Sequence, residues 1–151
     1  MQMTFRSSFK TLIFAITVAC LLVSCSVNPL RRVSIEVHDN ANNSQTTAVD
    51  IVLIYDAKLM LSLPQNSAEW FEKKSIFLAK SNQEIEVISI QLPPASASVL
   101  VKLPKNSSEA VGVMSYANYA TPEGQLRGYL NAHACARIIL EAKRISYADC
   151  I

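Results

Sequence analysis

Apolar residues in this chain recur at every second position, in short runs about ten residues apart, and that pattern restricts it to a fold built from strands. Val33, Ile35 and Val37 alternate with Ser34, Glu36 and His38, and the polar cluster from Asp39 to Gln45 then predicts a turn. The run from Val49 to Tyr55 is apolar at nearly every position. A strand reads that way when both of its faces are covered. From Glu84 to Leu92, Ile85 and Val87 give way to Ile88, Ile90 and Leu92, a change of phase that predicts a strand holding a bulge. Further strands are expected at Ser98 to Leu103, stopped by the turn Pro104 to Ser108, at Val111 to Tyr119, and at Gln125 to Asn131 after the turn Thr121-Pro-Glu-Gly124.

One segment breaks the pattern. Asn66 followed by Glu69 is a helix-start signature, in which the amide accepts from a first-turn N–H while the carboxylate caps back, so a short helix is expected over Ser67 to Lys74. Ala57 to Leu63 fits a short strand or one helical turn, and Ser75 to Ala79 a strand or the exit from the helix. Ala136 to Ser146 has helical propensity, but its place after a series of strands favours β. Together these segments describe a mainly β protein, a small two-sheet antiparallel β-sandwich of seven or eight strands with a short helical insertion.

The first residues follow a different rule. Arg6 and Lys10 precede an apolar run from Thr11 to Val23 with no acid, the build of a secretory signal. A helix over such a run reaches only about 20 Å, short of the roughly 30 Å hydrocarbon core of a bilayer. The run closes in Leu22-Val23-Ser24-Cys25, a lipobox, in which the Cys25 thiol receives a diacylglycerol and the new amino group a further acyl chain. Two acyl signals suffice for stable anchoring. The alternative is an ordinary signal cleaved nearby, with Cys25 an incidental thiol. Ser26, where lipoproteins retained in the inner membrane typically carry Asp, favours the outer membrane with the body facing the periplasm. The expected organisation is a signal over 1–24, a lipidated tether over 25–32 and one sandwich domain over 33–151.

Removing the signal from the 151 residues leaves 127, enough for one domain with a core. The mature chain then holds twelve basic and twelve acidic residues. That balance argues against nucleic-acid binding, which requires an excess of Lys and Arg. Cys135 and Cys150 remain besides Cys25, and in an oxidising periplasm a bridge between them is expected, two separate thiols being the alternative. His133 and Cys135 share a strand face and could share a metal, but no second ligand pair accompanies them, so no metal is expected. Glu84 and Glu86 read as a solvated pair, and Trp70 with Phe71 as core lining. No nucleophile elbow or phosphate-cradling glycine loop is present, and neither enzymatic activity, a cofactor nor a small-molecule substrate is expected.

The lipobox, the short tether, the strand from Val49 to Asp56, the Leu-rich stretch, Asn66 to Phe71 and a strand ending in Leu92-Pro93-Pro94 together resemble the outer-membrane lipoprotein of type VI secretion systems, the TssJ type and its shorter relatives. The resemblance implies a transthyretin-like two-sheet sandwich with a helical insertion. It also implies a structural role, in which the lipid holds one end in the outer membrane while loops hold the periplasmic part of an inner-membrane protein of the TssM type. The chain departs from the pattern in lacking a glycine after Pro94 and in carrying Cys135 and Cys150. Partner-facing candidates are the turns Asn40 to Thr46, with Asn42 and Asn43, and Pro104 to Ser108, with Lys105 and Asn106. A pilotin-like or other protein-binding envelope lipoprotein is the alternative.

Overall fold

A computed structural model describes residues 29–150; the signal segment, Cys25 and the first tether residues lie outside them. The described residues form eight strands: β1 Arg32–Val37, β2 Thr47–Ile54, β3 Ile85–Leu92, β4 Val99–Val101, β5 Gly112–Ala117, β6 Gly128–Tyr129, β7 Cys135–Leu140 and β8 Ile145–Asp149. They form two four-stranded sheets, β4-β1-β7-β8 and β3-β2-β5-β6. The fold is thus mainly β, a sandwich with short helices, as expected. One pairing departs from an all-antiparallel arrangement: β1 and β7 run parallel, from Arg32 opposite Cys135 to Val37 opposite Leu140. Most of the described residues separate these strands, which gives the crossover that parallel neighbours need.

Between the sheets lie Val33, Ile35 and Val37 of β1, Ala136, Ile138 and Leu140 of β7, Val49, Ile51 and Leu53 of β2, and Val113 of β5, all buried. Each fully buried Val, Leu or Ile contributes roughly 1.5–3 kcal/mol. The uniform apolarity of β2 has the expected cause, since Val52 and Ile54 point the other way into a second cluster beneath the helix. The expected bulge in β3 is absent. All eight residues pair with β2 in unbroken register, Thr47 with Leu92 through to Ile54 with Ile85. The change of phase arises because Ile85 and Val87 lie under the helix while Ile88, Ile90 and Leu92 face the interior.

The helical insertion comprises a single turn, α1 Ala57–Met60, and α2 Ser67–Lys80. Asp56 caps α1 through Lys58 N at 2.9 Å, and Asn66 Oδ1 caps α2 through Glu69 N at 2.9 Å. Glu69 itself pairs with Lys73 one turn on instead of capping back. α2 is six residues longer than expected and absorbs Ser75 to Ala79, because Phe77 and Leu78 extend the apolar stripe begun by Trp70. The expected strand over Gln125 to Asn131 shrinks to β6. Ala136 to Ser146 is not one strand but most of a hairpin, β7 and β8, whose turn is closed by Glu141 N to Arg144 O at 3.1 Å and by Arg144 Nε to Glu141 Oε2 at 2.6 Å.

These strands give the sandwich two ends. β1 starts, β7 starts, and β4 and β8 finish at one, the tether end; the β1–β2, β3–β4, β5–β6 and β7–β8 connections gather at the other, the far end.

Candidate functional site

The outer face of the second sheet is occupied. Trp70 of α2 is fully buried against it and stacks on Tyr116 of β5 with ring centroids 4.8 Å apart, and on Phe77 at 6.1 Å. Beneath the helix, in the middle of β2, sits the buried carboxylate of Asp50. Its Oδ2 accepts from Trp70 Nε1 at 2.8 Å and pairs with Lys74 Nζ at 2.8 Å, and Lys74 also donates to Ser89 Oγ at 2.8 Å. A buried charge this well partnered fixes the register of helix on sheet. Trp70 is therefore core lining, as expected, and the indole nitrogen is committed. Burial holds the Tyr116 phenol at about 12, above its ordinary value, and the hydroxyl donates to Pro64 O at 2.8 Å.

The far end is knitted by side chains. Asn42, Asn43 and Ser44 form a left-handed turn with φ of 49°, 54° and 60°, a region that asparagine tolerates better than most residues. Asn42 is only 2 % exposed. Its Nδ2 donates to Asn118 O at 3.2 Å, its Oδ1 accepts from Ala120 N at 2.8 Å, and its backbone N–H donates to Glu141 O at 3.1 Å. Tyr119 Oη donates to Glu141 O at 2.8 Å and Thr121 Oγ1 to Lys143 O at 2.6 Å, completing a belt across both sheets. Burial is the main reason the Tyr119 phenol lies well above its ordinary range. Glu141 is held below the usual carboxylate range, first by Arg144 and then by Ser146.

The tether end is held covalently. Cys135 and Cys150 are joined in a disulfide with Cα atoms 5.4 Å apart, and Cys150 N donates to Cys135 O at 3.1 Å. Beside it His133 Nδ1 meets Asp149 Oδ1 at 2.7 Å. The arrangement of His133 and Cys135 is thereby accounted for, and among the described residues no cluster of three metal-ligating side chains exists. Lys105 and Asn106 are exposed on the turn that follows β4 at this same end.

The candidate residues named from the sequence are therefore not brought together. Asn42 and Asn43 lie at the far end, Lys105 and Asn106 at the tether end. Asn42 spends its amide inside the fold, while Asn43 stays exposed. Glu84 is exposed and Glu86 accepts from Tyr55 Oη at 3.2 Å, so they do not form an acid–base pair. Burial, followed by Glu86, raises the Tyr55 phenol to about 12. The belt formed by Asn42, Tyr119 and Thr121 escaped sequence reading. Its only local signal is the Asn-Asn-Ser run, which suggests a left-handed turn but not its partners.

No family model and no curated protein matches the chain. Solved structures do. The T6SS lipoprotein TssJ1 from Pseudomonas aeruginosa superposes with a TM-score of 0.57 at 14 % identity, over 80 % of this chain and 96 % of that one. Serratia marcescens Lip, a membrane bound component of the Type VI Secretion System, gives 0.52 at 10 % identity, over 78 % and 96 %. A chain in the structure of the T6SS protein TssM C-terminal domain from EAEC gives 0.54 at 14 % identity, over 78 % and 98 %. At these identities the likeness is one of architecture, and the two sheets with their helical insertion have the fold of the TssJ lipoproteins.

Proposed function

We infer that this chain is a lipoprotein of the outer membrane, facing the periplasm, and a structural component of a type VI secretion membrane complex in which it tethers a TssM-type inner-membrane protein. The observation that carries the reading is the TssJ fold, shared with a T6SS lipoprotein and with a membrane bound component of that system; the apolar run closing in Leu22-Val23-Ser24-Cys25, which we read as a signal with a lipobox, supports it.

Residues 1–24 act as the signal, Cys25 bears the lipid, and the tether is shorter than the expected 25–32, because Leu30 is already buried in the core and Arg32 is the first residue of β1. β1 starts at Arg32, only a few positions after Cys25, a reach of at most about 25 Å. So short a link keeps the tether end close to the bilayer surface and leaves the far end directed into the periplasm. The role is binding rather than catalysis, and the chain's residues supply an anchor, a stiff body and a surface. Of the loop candidates, Asn43 belongs to the end directed away from the membrane, and Lys105 and Asn106 to the end beside it.

The anchor is tested by replacing Cys25 with Ser and fractionating cells. Wild-type protein should be recovered in outer-membrane fractions and Cys25→Ser protein should leave them unprocessed; equal outer-membrane recovery of both would refute the lipid anchor.

A further inference from the structure

The two sheets have four edge strands among the described residues, and three of them are short. β4 has three residues and β6 two, while β8 has five and ends at the disulfide. β3 is different. It has eight residues, spans about 27 Å at 3.4 Å per residue, pairs only with β2, and contains no proline, no lysine and no bulge. Those are the devices by which natural edges are normally blunted.

The hydrogen-bond parity of β3 follows from its neighbours. Tyr55 N donates to Glu84 O at 2.9 Å on one side of β2, and Asn118 N donates to Ala48 O at 2.9 Å on the other. Odd-numbered residues of β2 therefore bond to β3 and even-numbered ones to β5. In β3, Glu86, Ile88, Ile90 and Leu92 turn their backbone groups inward, and Ile85, Val87, Ser89 and Gln91 turn theirs to the free edge. Among the described residues no hydrogen bond reaches those outward groups.

We propose that the free edge of β3 is a docking site for an extended segment of the TssM-type partner, added to the second sheet as a further strand. The inference rests on the function proposed above. Unpaired N–H and C=O groups in strand spacing specify an extended backbone as their ligand. Charge selects among such segments: from Glu84 to Leu92 the edge carries Glu84 and Glu86 and no base, and Lys74, which reaches Ser89, is neutralised by Asp50. The matching segment carries a basic residue beside the Glu84–Glu86 end and apolar residues beside Ile88 and Ile90, which are only partly buried.

The test uses the full-length lipidated chain in detergent and the purified periplasmic domain of the TssM-type protein from the same genome. Proline at Gln91 or at Ser89 removes an outward N–H without removing a bond to β2. Gln91→Pro and Ser89→Pro should each weaken binding at least tenfold, Gln91→Ala should bind like wild type, and amide exchange at Val87, Ser89 and Gln91 should slow in the wild-type complex. Unchanged circular dichroism would show that the variants fold; if they do not, the amide exchange of the wild-type complex decides alone. Wild-type affinity in both proline variants, with those three amides exchanging freely in the complex, would overturn the edge as the docking site and leave the proposed function standing. No binding by the wild-type chain would overturn the function and this inference with it. A wild-type dimer that Gln91→Pro dissociates would make the occupant a second copy of this chain and overturn the choice of partner.

Discussion

The two sheets are treated differently on their outer faces. The second is roofed by α2, which buries Trp70, Val52, Ile54 and Met114 in a core of its own and encloses the carboxylate of Asp50. Among the described residues no helix covers the first. Arg32 and Leu100 are exposed there, Arg137 and Ser34 partly so, and Glu36 is shared between His38 at 3.3 Å and Arg137 at 3.6 Å. The disulfide lies on this open face, with Cys150 Sγ 3.9 Å from Ser34 Oγ. One sheet is thus held by packing and the other by a covalent staple. The roofed sheet has a single long bare edge, β3, while the open sheet supplies the strand that continues from the tether.

Four measurements can break or sharpen this contrast. The largest effect is expected at the roof: Trp70→Ala removes the centre of the second core and unpartners part of Asp50, for a loss of about 3–5 kcal/mol in chemical denaturation. A loss under about 1 kcal/mol would mean that the helix is an ornament on the sheet. Next comes the staple. Removing both cysteines as Cys135→Ala and Cys150→Ala reopens a loop with a sequence separation of 15, which in the chain-entropy model costs about 3 kcal/mol; a reducing agent should produce the same loss in the wild type and none in the double variant.

Alkali should also act on the roof. The folded Tyr116 phenol titrates at about 12 because it is buried, against about 10 in the unfolded chain. A raised folded value means that its contribution to stability is complete below about pH 10 and is lost as pH rises toward 12, about 1 kcal/mol by pH 11. Stability measured at pH 8 and pH 11 should therefore fall less in Tyr116→Phe than in the wild type. The smallest effect belongs to the open face, where Arg137→Ala should change stability by no more than about 0.5 kcal/mol, since exposed ion pairs are screened by water.

The same contrast explains what the sequence made legible. The strict alternation of β1 is that of a strand with one covered face, and the unbroken apolarity of β2 is that of a strand with two. Both readings rest on side-chain period, which is local. The full length of α2 is not legible locally, because Phe77 and Leu78 suit a strand equally well and only the fold sets them on one stripe with Trp70. Glu141-Ala-Lys-Arg144 carries none of the usual turn residues; its turn is made by the carboxylate of Glu141, whose partners Arg144 and Ser146 are found only in the folded hairpin. The parallel pairing of β1 with β7 joins residues as distant in the chain as Arg32 and Cys135, so no window of sequence contains it. At the candidate site, Cys135 and Cys150 stand out in the sequence by their number alone, whereas the burial of Asn42 depends on Asn118, Ala120 and Glu141, far along the chain. A polar turn and a polar clasp look alike in sequence.

If lipid and sandwich form one mechanical link, the partner must follow the anchor. The most direct measurement is to sediment lipid vesicles that carry the lipidated chain in the presence of the soluble periplasmic domain of the TssM-type protein. This domain should pellet with vesicles bearing wild-type chain, and with a chain of residues 26–151, which carries neither signal nor lipid, both proteins should remain together in the supernatant. A domain that stays in the supernatant beside wild-type vesicles, or one that pellets equally with the chain of residues 26–151, would contradict the link.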